Sequence, residues 1–140
     1  MAEQDLDEVV ALEQAIFPSP WSRESFTYES RSRRLLKVVA VEQDRVVGYL
    51  VVWGGECAHV ANLAVAPGSR RRGIGSLLMA RAEEFAGCSG ADMVVLEVRE
   101  SNTAARAFYS QRGYDEIDLR LGYYENGEDA VVMAKSLVSG

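Results

Sequence analysis

Asn62-Leu-Ala-Val-Ala-Pro-Gly-Ser-Arg-Arg-Arg-Gly-Ile-Gly-Ser-Leu-Leu78 is the stretch whose reading decides the fold of this chain. An apolar strand runs into Pro67, which has no N–H to offer a ladder. Arg70, Arg71 and Arg72 follow, then Gly73 and Gly75 around Ile74, and with Ser76 an amphipathic helix is under way. That order builds a phosphate cradle. Gly73 and Gly75 let the backbone approach a ligand and take conformations that a side chain forbids. The first-turn N–H groups of a helix have no internal partners and face any anion that arrives. The arginines add positive charge at the same place.

Two familiar phosphate loops are excluded by their residues. A Walker loop needs Lys and Ser or Thr after its second glycine; Gly68 and Gly73 have the separation, but Ile74 and Gly75 follow. A dinucleotide fingerprint needs a glycine where Leu78 stands. A nucleotide-binding domain therefore lacks its lysine. What remains, Arg70-x-x-Gly73-x-Gly75, resembles the pyrophosphate-binding signature of the GNAT superfamily of acetyl-CoA-dependent N-acetyltransferases. Taken without that resemblance, the same residues are a glycine-containing surface turn before a helix.

The chain has 140 residues, 48% hydrophobic and 26% charged, which suits one soluble domain over residues 1–140. No apolar run reaches the roughly 18 residues of a membrane span. The acidic start, Met1-Ala-Glu-Gln-Asp-Leu-Asp-Glu8, is unlike a secretory or transit signal, so a cytoplasmic protein with no membrane partner is expected. Cys57 and Cys88 have no metal-ligand or CxxC spacing and read as unpaired thiols; no metal is expected. The single histidine, His59, falls in a strand and reads as a packed core residue.

A formal net charge of −6 argues against direct nucleic-acid binding. The charge is uneven, however. Arginines 31, 33, 34 and 70–72 make two basic clusters, while acids at 115, 116, 118, 125, 128 and 129 face one base, Arg120. A basic spot for a phosphorylated cofactor and an acidic rim for a cationic partner suit an enzyme acting on an amine. The acids are equally readable as a solvated surface.

Helical spacing runs from Leu6 through Val9, Val10, Leu12, Glu13 and Ile16 to Phe17, where Pro18-Ser-Pro20 breaks it. Ser22 reads as the N-cap of a second helix to about Arg31. Strands are expected at 36–42 and 46–53, joined by a hairpin at Gln43-Asp44-Arg45, and at 57–66. A helix over 75–86 has Leu77, Leu78, Ala82 and Phe85 as its apolar face and ends at Gly87 and Gly90. A strand at 92–99, a helix at 102–112 and strands at 114–121 and 130–136 complete the chain. This order predicts an α/β (α+β) fold, a mixed, mostly antiparallel twisted sheet with helices on both faces. The GNAT resemblance implies the same fold almost end to end, but that family usually begins with a strand, and only about four residues precede the first helix here.

Glu97 interrupts the apolar run from Met93 to Val98. A carboxylate in a buried strand is costly unless it is paired or faces a cleft. It is either a general base with a raised pKa or the partner of Arg99, two residues on and on the same strand face. Asn102 caps the next helix and Tyr109 lies seven residues, about 10 Å, further along the same helix face. The two either grip an extended ligand or are an ordinary cap and a core tyrosine.

Leu-Glu-Val-Arg-x-Ser-Asn-x-x-Ala-x-x-x-Tyr over residues 96–109, then Gly113-Tyr114, Tyr123-Tyr124 and the 127–133 segment, closely resemble the RimI family. So does Phe17-Pro-Ser-Pro-Trp-Ser22. RimI enzymes acetylate the N-terminal alanine of ribosomal protein S-eighteen, and relatives take other protein N-termini. The resemblance makes Glu97 the general base and Tyr109 the general acid. It gives Leu63, Ala64 and Val65 as backbone contacts of acetyl-CoA, residues 71–76 as its pyrophosphate loop, and Asn102 as a further contact. Acetyl transfer by direct attack in a ternary complex on a protein N-terminus, ribosomal in origin, is the implied activity. Residues 18–26 and 115–129 would flank the amine's approach.

The chemistry of amines agrees. An α-amine, with a pKa of about 7.7–8.0, is appreciably neutral near pH 7.5, whereas a lysine at about 10.4 needs roughly 4 kcal/mol to lose its proton there. One carboxylate acting through water is adequate for the first and strained for the second. Lysine or small-molecule amine acetylation on the same fold is the enzymatic alternative, and a non-catalytic acyl-CoA-binding module the alternative of another class.

Overall fold

The computed structural model describes residues 1–28, 34–70 and 72–138. Gln43 and Asp44 both take positive φ, 52° and 63°, the backbone of a tight two-residue hairpin turn. This turn joins β1 (Leu35–Glu42) to β2 (Arg45–Trp53), and β3 (Cys57–Val65) returns antiparallel beside β2. After α3 (Ile74–Cys88) the chain enters β4 (Met93–Arg99), parallel to β3, the right place for a helical crossover. Helix α4 (Thr103–Gln111) leads to β5 (Asp115–Arg120) and β6 (Ala130–Ser136), and β6 inserts between β4 and β5. The sheet order is β1-β2-β3-β4-β6-β5, and only β3–β4 is parallel.

Alternation along the strands divides the core in two. Leu50, Val60, Val94, Leu96, Val131 and Met133 meet α3 and Tyr109 of α4 on one face. On the other face Tyr49, Val51 and Ala64 meet α1 (Leu6–Ile16) and Phe26 of α2 (Arg23–Thr27). Helices thus cover both faces, but α1 and α2 lie against β1–β3 only. Phe26 links the small helices to the sheet, its ring centroid 5.2 Å from Trp21 and 5.6 Å, edge-on, from Tyr49.

Several expectations need correction. Ser22 does cap α2, accepting from the Ser25 N–H, but the helix stops at Thr27 because Tyr28 turns extended. Its expected continuation to Arg31, and the Arg31 and Arg33 of the first basic cluster, lie outside the described residues. Helix α3 runs through Gly87, and the stop is made by Gly90 at φ 81°. Leu77 does not belong to its apolar face: it is 70% exposed. At about 100° per residue, Ile74, Leu78, Met79, Ala82 and Ala86 form the buried arc, and Leu77 falls outside it. No strand precedes α1 among the described residues; the Met1 amine instead donates to the Lys37 carbonyl on edge strand β1, at 2.9 Å.

Candidate active site

Strands β3 and β4 are paired only where Cys57–His59 meets Met93–Val95. Beyond that point β3 continues to Val65 and β4 to Arg99 without pairing, and the β2–β3 register slips between Val51 and Val52. A bulge on one strand bends it away from its neighbour. The sheet therefore forks, and β3 from Asn62 to Val65 has backbone groups toward β4 that no ladder uses. Leu63 and Val65 are half-buried there; Ala64 points into the core beneath α1 and α2.

The α3 start lies just past the end of β3. Gly73 takes the N-cap position at φ 81°, where a side chain is strained, and it offers no capping group. The Leu77 amide is the first to bond back, to Gly73 O, so the amides of Ile74, Gly75 and Ser76 have no helical acceptor. No acid stands in this first turn. The other residues of the predicted cradle behave differently. Gly75 is small for packing, since a Cβ there would sit 3.3 Å from the Phe108 ring of α4. Arg70 turns its Nε–H to the Val65 carbonyl at 3.1 Å, and Arg72 pairs with Glu42 at 2.7 Å. Arg71 lies outside the described residues.

At the fork itself stands Glu97. Its partner is not Arg99, which pairs with Glu128 at 3.0 Å and lies 4.0 Å over the Tyr124 ring. Glu97 receives His59 Nε2 at 2.9 and 2.8 Å from its two oxygens, and the Tyr123 hydroxyl donates to it at 3.0 Å. A carboxylate only accepts, so Nε2 carries the hydrogen. Burial alone would raise the Glu97 pKa. The hydrogen bond and charge of His59, the Tyr123 bond and the charge of Arg120 together outweigh it, and the carboxyl titrates below its ordinary range. The expectation of a raised pKa is therefore wrong: these partners favour the charged form.

His59 is likewise no packed core residue; its side chain is 38% exposed beside the nearly covered carboxylate. Sequence reading missed His59, Tyr123 and Arg120 as site residues. The available signal was alternation, which puts a strand histidine and a strand glutamate each on one face. Which face they share is decided by the parallel register His59↔Val95, two residues before Glu97, and no local pattern carries that.

Asn102 caps α4, its Oδ1 accepting from the Ala105 N–H at 3.1 Å, which leaves its amide nitrogen free of that bond. Tyr109 is 9% exposed between the rings of Phe108 and Tyr114, and burial, with a smaller contribution from Tyr124, pushes its pKa up. Its hydroxyl makes no hydrogen bond among the described residues. Tyr124, itself raised to about 12 mainly by burial, is within electrostatic reach of both Tyr109 and Glu97. Of the acids in 115–129, Glu116 is held by Arg106, Glu128 by Arg99 and the Ser101 amide, and Asp129 by the Gly122 amide. Asp115, Asp118 and Glu125 are exposed.

Among the described residues no group of three His, Cys, Asp or Glu side chains could hold a metal ion, and no helix is long and apolar enough to cross a membrane. Cys57 and Cys88 are exposed free thiols.

Residues 6–114 match the Acetyltransferase (GNAT) family. The [ribosomal protein bS18]-alanine N-acetyltransferase of Salmonella typhimurium is 31% identical over 138 residues, covering 96% of this chain and 93% of its own length. The N-alpha-acetyltransferase of Saccharolobus solfataricus is 30% identical over 147 residues, covering 95% and 88%. The crystal structure of the Escherichia coli ribosomal-protein-S18-alanine N-acetyltransferase superposes with a TM-score of 0.84 at 27% identity, covering 100% of this chain and 92% of that one. Fold, forked strands, uncapped helix start and family match agree: the chain belongs to the GNAT family of acetyltransferases.

Proposed function

We propose that this protein is a cytoplasmic, single-domain enzyme that transfers the acetyl group of acetyl-CoA to a protein N-terminal α-amine, with the N-terminal alanine of ribosomal protein bS18 as its substrate. The observation that carries this reading is the fork: β3 beyond His59 is unpaired toward β4, the His59–Glu97 pair stands where that pairing ends, and the uncapped α3 start follows β3 in the chain. The relatives' named substrate supplies the acceptor.

Acetyl-CoA fits these residues and, when bound, supplies an activated acetyl thioester. The backbone of Leu63, Ala64 and Val65 would hold its amide-bearing arm as a strand holds its neighbour. The free amides of Ile74, Gly75 and Ser76, next to Gly73, would hold its pyrophosphate. Asn102 keeps an amide nitrogen for a further contact. N–H groups on this β3 edge suit an oxyanion, because they are fixed before the reaction begins.

Glu97 orients His59 through the Nε2 hydrogen. In the neutral ring this leaves the Nδ1 lone pair to accept a proton from the amine, directly or through one water. A carboxylate with a lowered pKa is by itself a weak base for an amine. The base is thus the pair. Tyr109, kept protonated by burial, can donate to the departing thiolate. Calorimetric titration with acetyl-CoA, followed by release of free CoA with a bS18 N-terminal peptide, tests both halves. No heat of binding, or binding without CoA release, refutes the proposal.

A further inference from the structure

Glu13 is 1% exposed, and among the described residues no cation pairs with it. Its Oε1 accepts from the Tyr49 hydroxyl at 2.7 Å and from Asn62 Nδ2 at 2.9 Å, and its Oε2 from the Trp21 backbone N–H at 2.9 Å. Helical spacing alone asks for an apolar residue here, and burying a carboxylate among neutral donors is costly. The donors explain its presence. They come from β2, from β3 and from the loop after α1, so one side chain joins three segments to the helix that carries it.

Phe17 and Trp21 pack the loop against the α1 and α2 core, but its backbone has little to hold it. Pro18 and Pro20 lack N–H groups, and among the described residues the Trp21 amide makes the one backbone hydrogen bond donated from residues 18–21. The strand at the other end of the tie is the reacting one. Asn62 sits three residues after His59, the last β3 residue paired with β4, and immediately before Leu63. His59 and Glu97 alternate with Ala58, Val60, Leu96 and Val98 of the α3 face, so they lie on the face that carries α1, α2 and this loop.

We propose that Glu13 is a positioning residue: from the interior it locks the Phe17–Ser22 loop to β3, so that the wall beside the acceptor amine and the strand beside the thioester keep one fixed spacing. This rests on the acetyl-transfer reading above. It concerns the acceptor, and acetyl-CoA binding should depend on it much less.

The test compares Glu13→Met with Glu13→Gln. A backbone N–H can only donate, so the glutamine oxygen must stay with Trp21, while the Tyr49 hydroxyl and the Asn62 amide can turn to accept from its NH2 group. Glutamine should therefore restore the tie and methionine abolish it. In Glu13→Met, KM for the acceptor peptide should rise about tenfold, the effect of losing a hydrogen bond to a charged group. KM for acetyl-CoA should change less than about twofold, and Glu13→Gln should stay near wild type in both. Hydrogen exchange reads the tie without any reaction: the wild-type Trp21 amide should be protected like the amides of β2, and lose protection in Glu13→Met. Equal rises in both KM values, or a Gln variant as impaired as Met, overturn the proposal. So does a wild-type Trp21 amide that exchanges like an exposed loop, even where Glu13→Met does not fold. A protein that acetylates nothing would overturn the function and leave the exchange result standing.

Discussion

Glu97 and His59 reach across from neighbouring strands, and the imidazole Nε2 lies 2.8 Å from Oε2 and 2.9 Å from Oε1. The contact forms where the two strands cease to pair, so the proposed proton-handling pair stands at the fork. Groups that act as one unit are non-additive when removed. His59→Ala and Glu97→Gln should each lower kcat about a hundredfold, and the double variant should cost little more than either single one. Steady-state kinetics of the three variants checks this. Costs that multiply would mean that the two residues work independently.

The lowered pKa of Glu97 has consequences for stability and rate. Its folded value lies below the ordinary 4.5, so its contribution to stability is fully present above that pH and is lost as the pH falls through the folded value. Thermal unfolding between pH 6 and 3 should therefore show a steeper acid loss for wild type than for Glu97→Gln. Parallel curves would contradict the lowered pKa.

With Glu97 already ionised near neutral pH, the acidic limb of kcat/KM should show no step in the carboxylate range. A pH–rate profile with an N-terminal peptide measures it. An inflection near pH 4–5 would return the carboxylate to the role of a titrating base.

Gly73 and Gly75 should behave differently. Gly73→Ala places a side chain at φ 81°, costing about 1 kcal/mol of stability, and should weaken acetyl-CoA binding by calorimetry in a protein that stays folded. Gly75→Val instead drives a side chain into Phe108 and should lower the melting temperature first. Equal effects on folding would place both glycines in packing alone.

The boundaries of this fold were legible where chemistry is local. Asn102 caps α4, Gln43-Asp44 makes the hairpin, and the last strand occupies residues 130–136, all as the residues imply. The site was half legible. A lone carboxylate in an apolar strand marked Glu97, but its true partner lies 38 residues earlier, on a strand brought alongside only by the α3 crossover. The nearer Arg99 looked available because sequence cannot show that Glu128 already holds it. Leu77 was misplaced for a related reason: an apolar residue at the border of a helical arc is assigned by the packing partner, and α3 turns that border to solvent.

Tyr109→Phe removes one hydroxyl and almost no volume. Because the hydroxyl makes no hydrogen bond among the described residues, stability should be unchanged while turnover falls. Full activity would mean that solvent protonates the thiolate.

The central claim is that the acceptor is an α-amine. Mass spectrometry of two peptides incubated with the protein and acetyl-CoA tests it directly: one begins with a free alanine followed by basic residues, the other has the same sequence with a blocked N-terminus and a free lysine. The account predicts a mass increase of one acetyl group, placed on the N-terminal residue by fragmentation, for the first peptide and almost none for the second. Acetylation of the blocked peptide at an equal rate would contradict it.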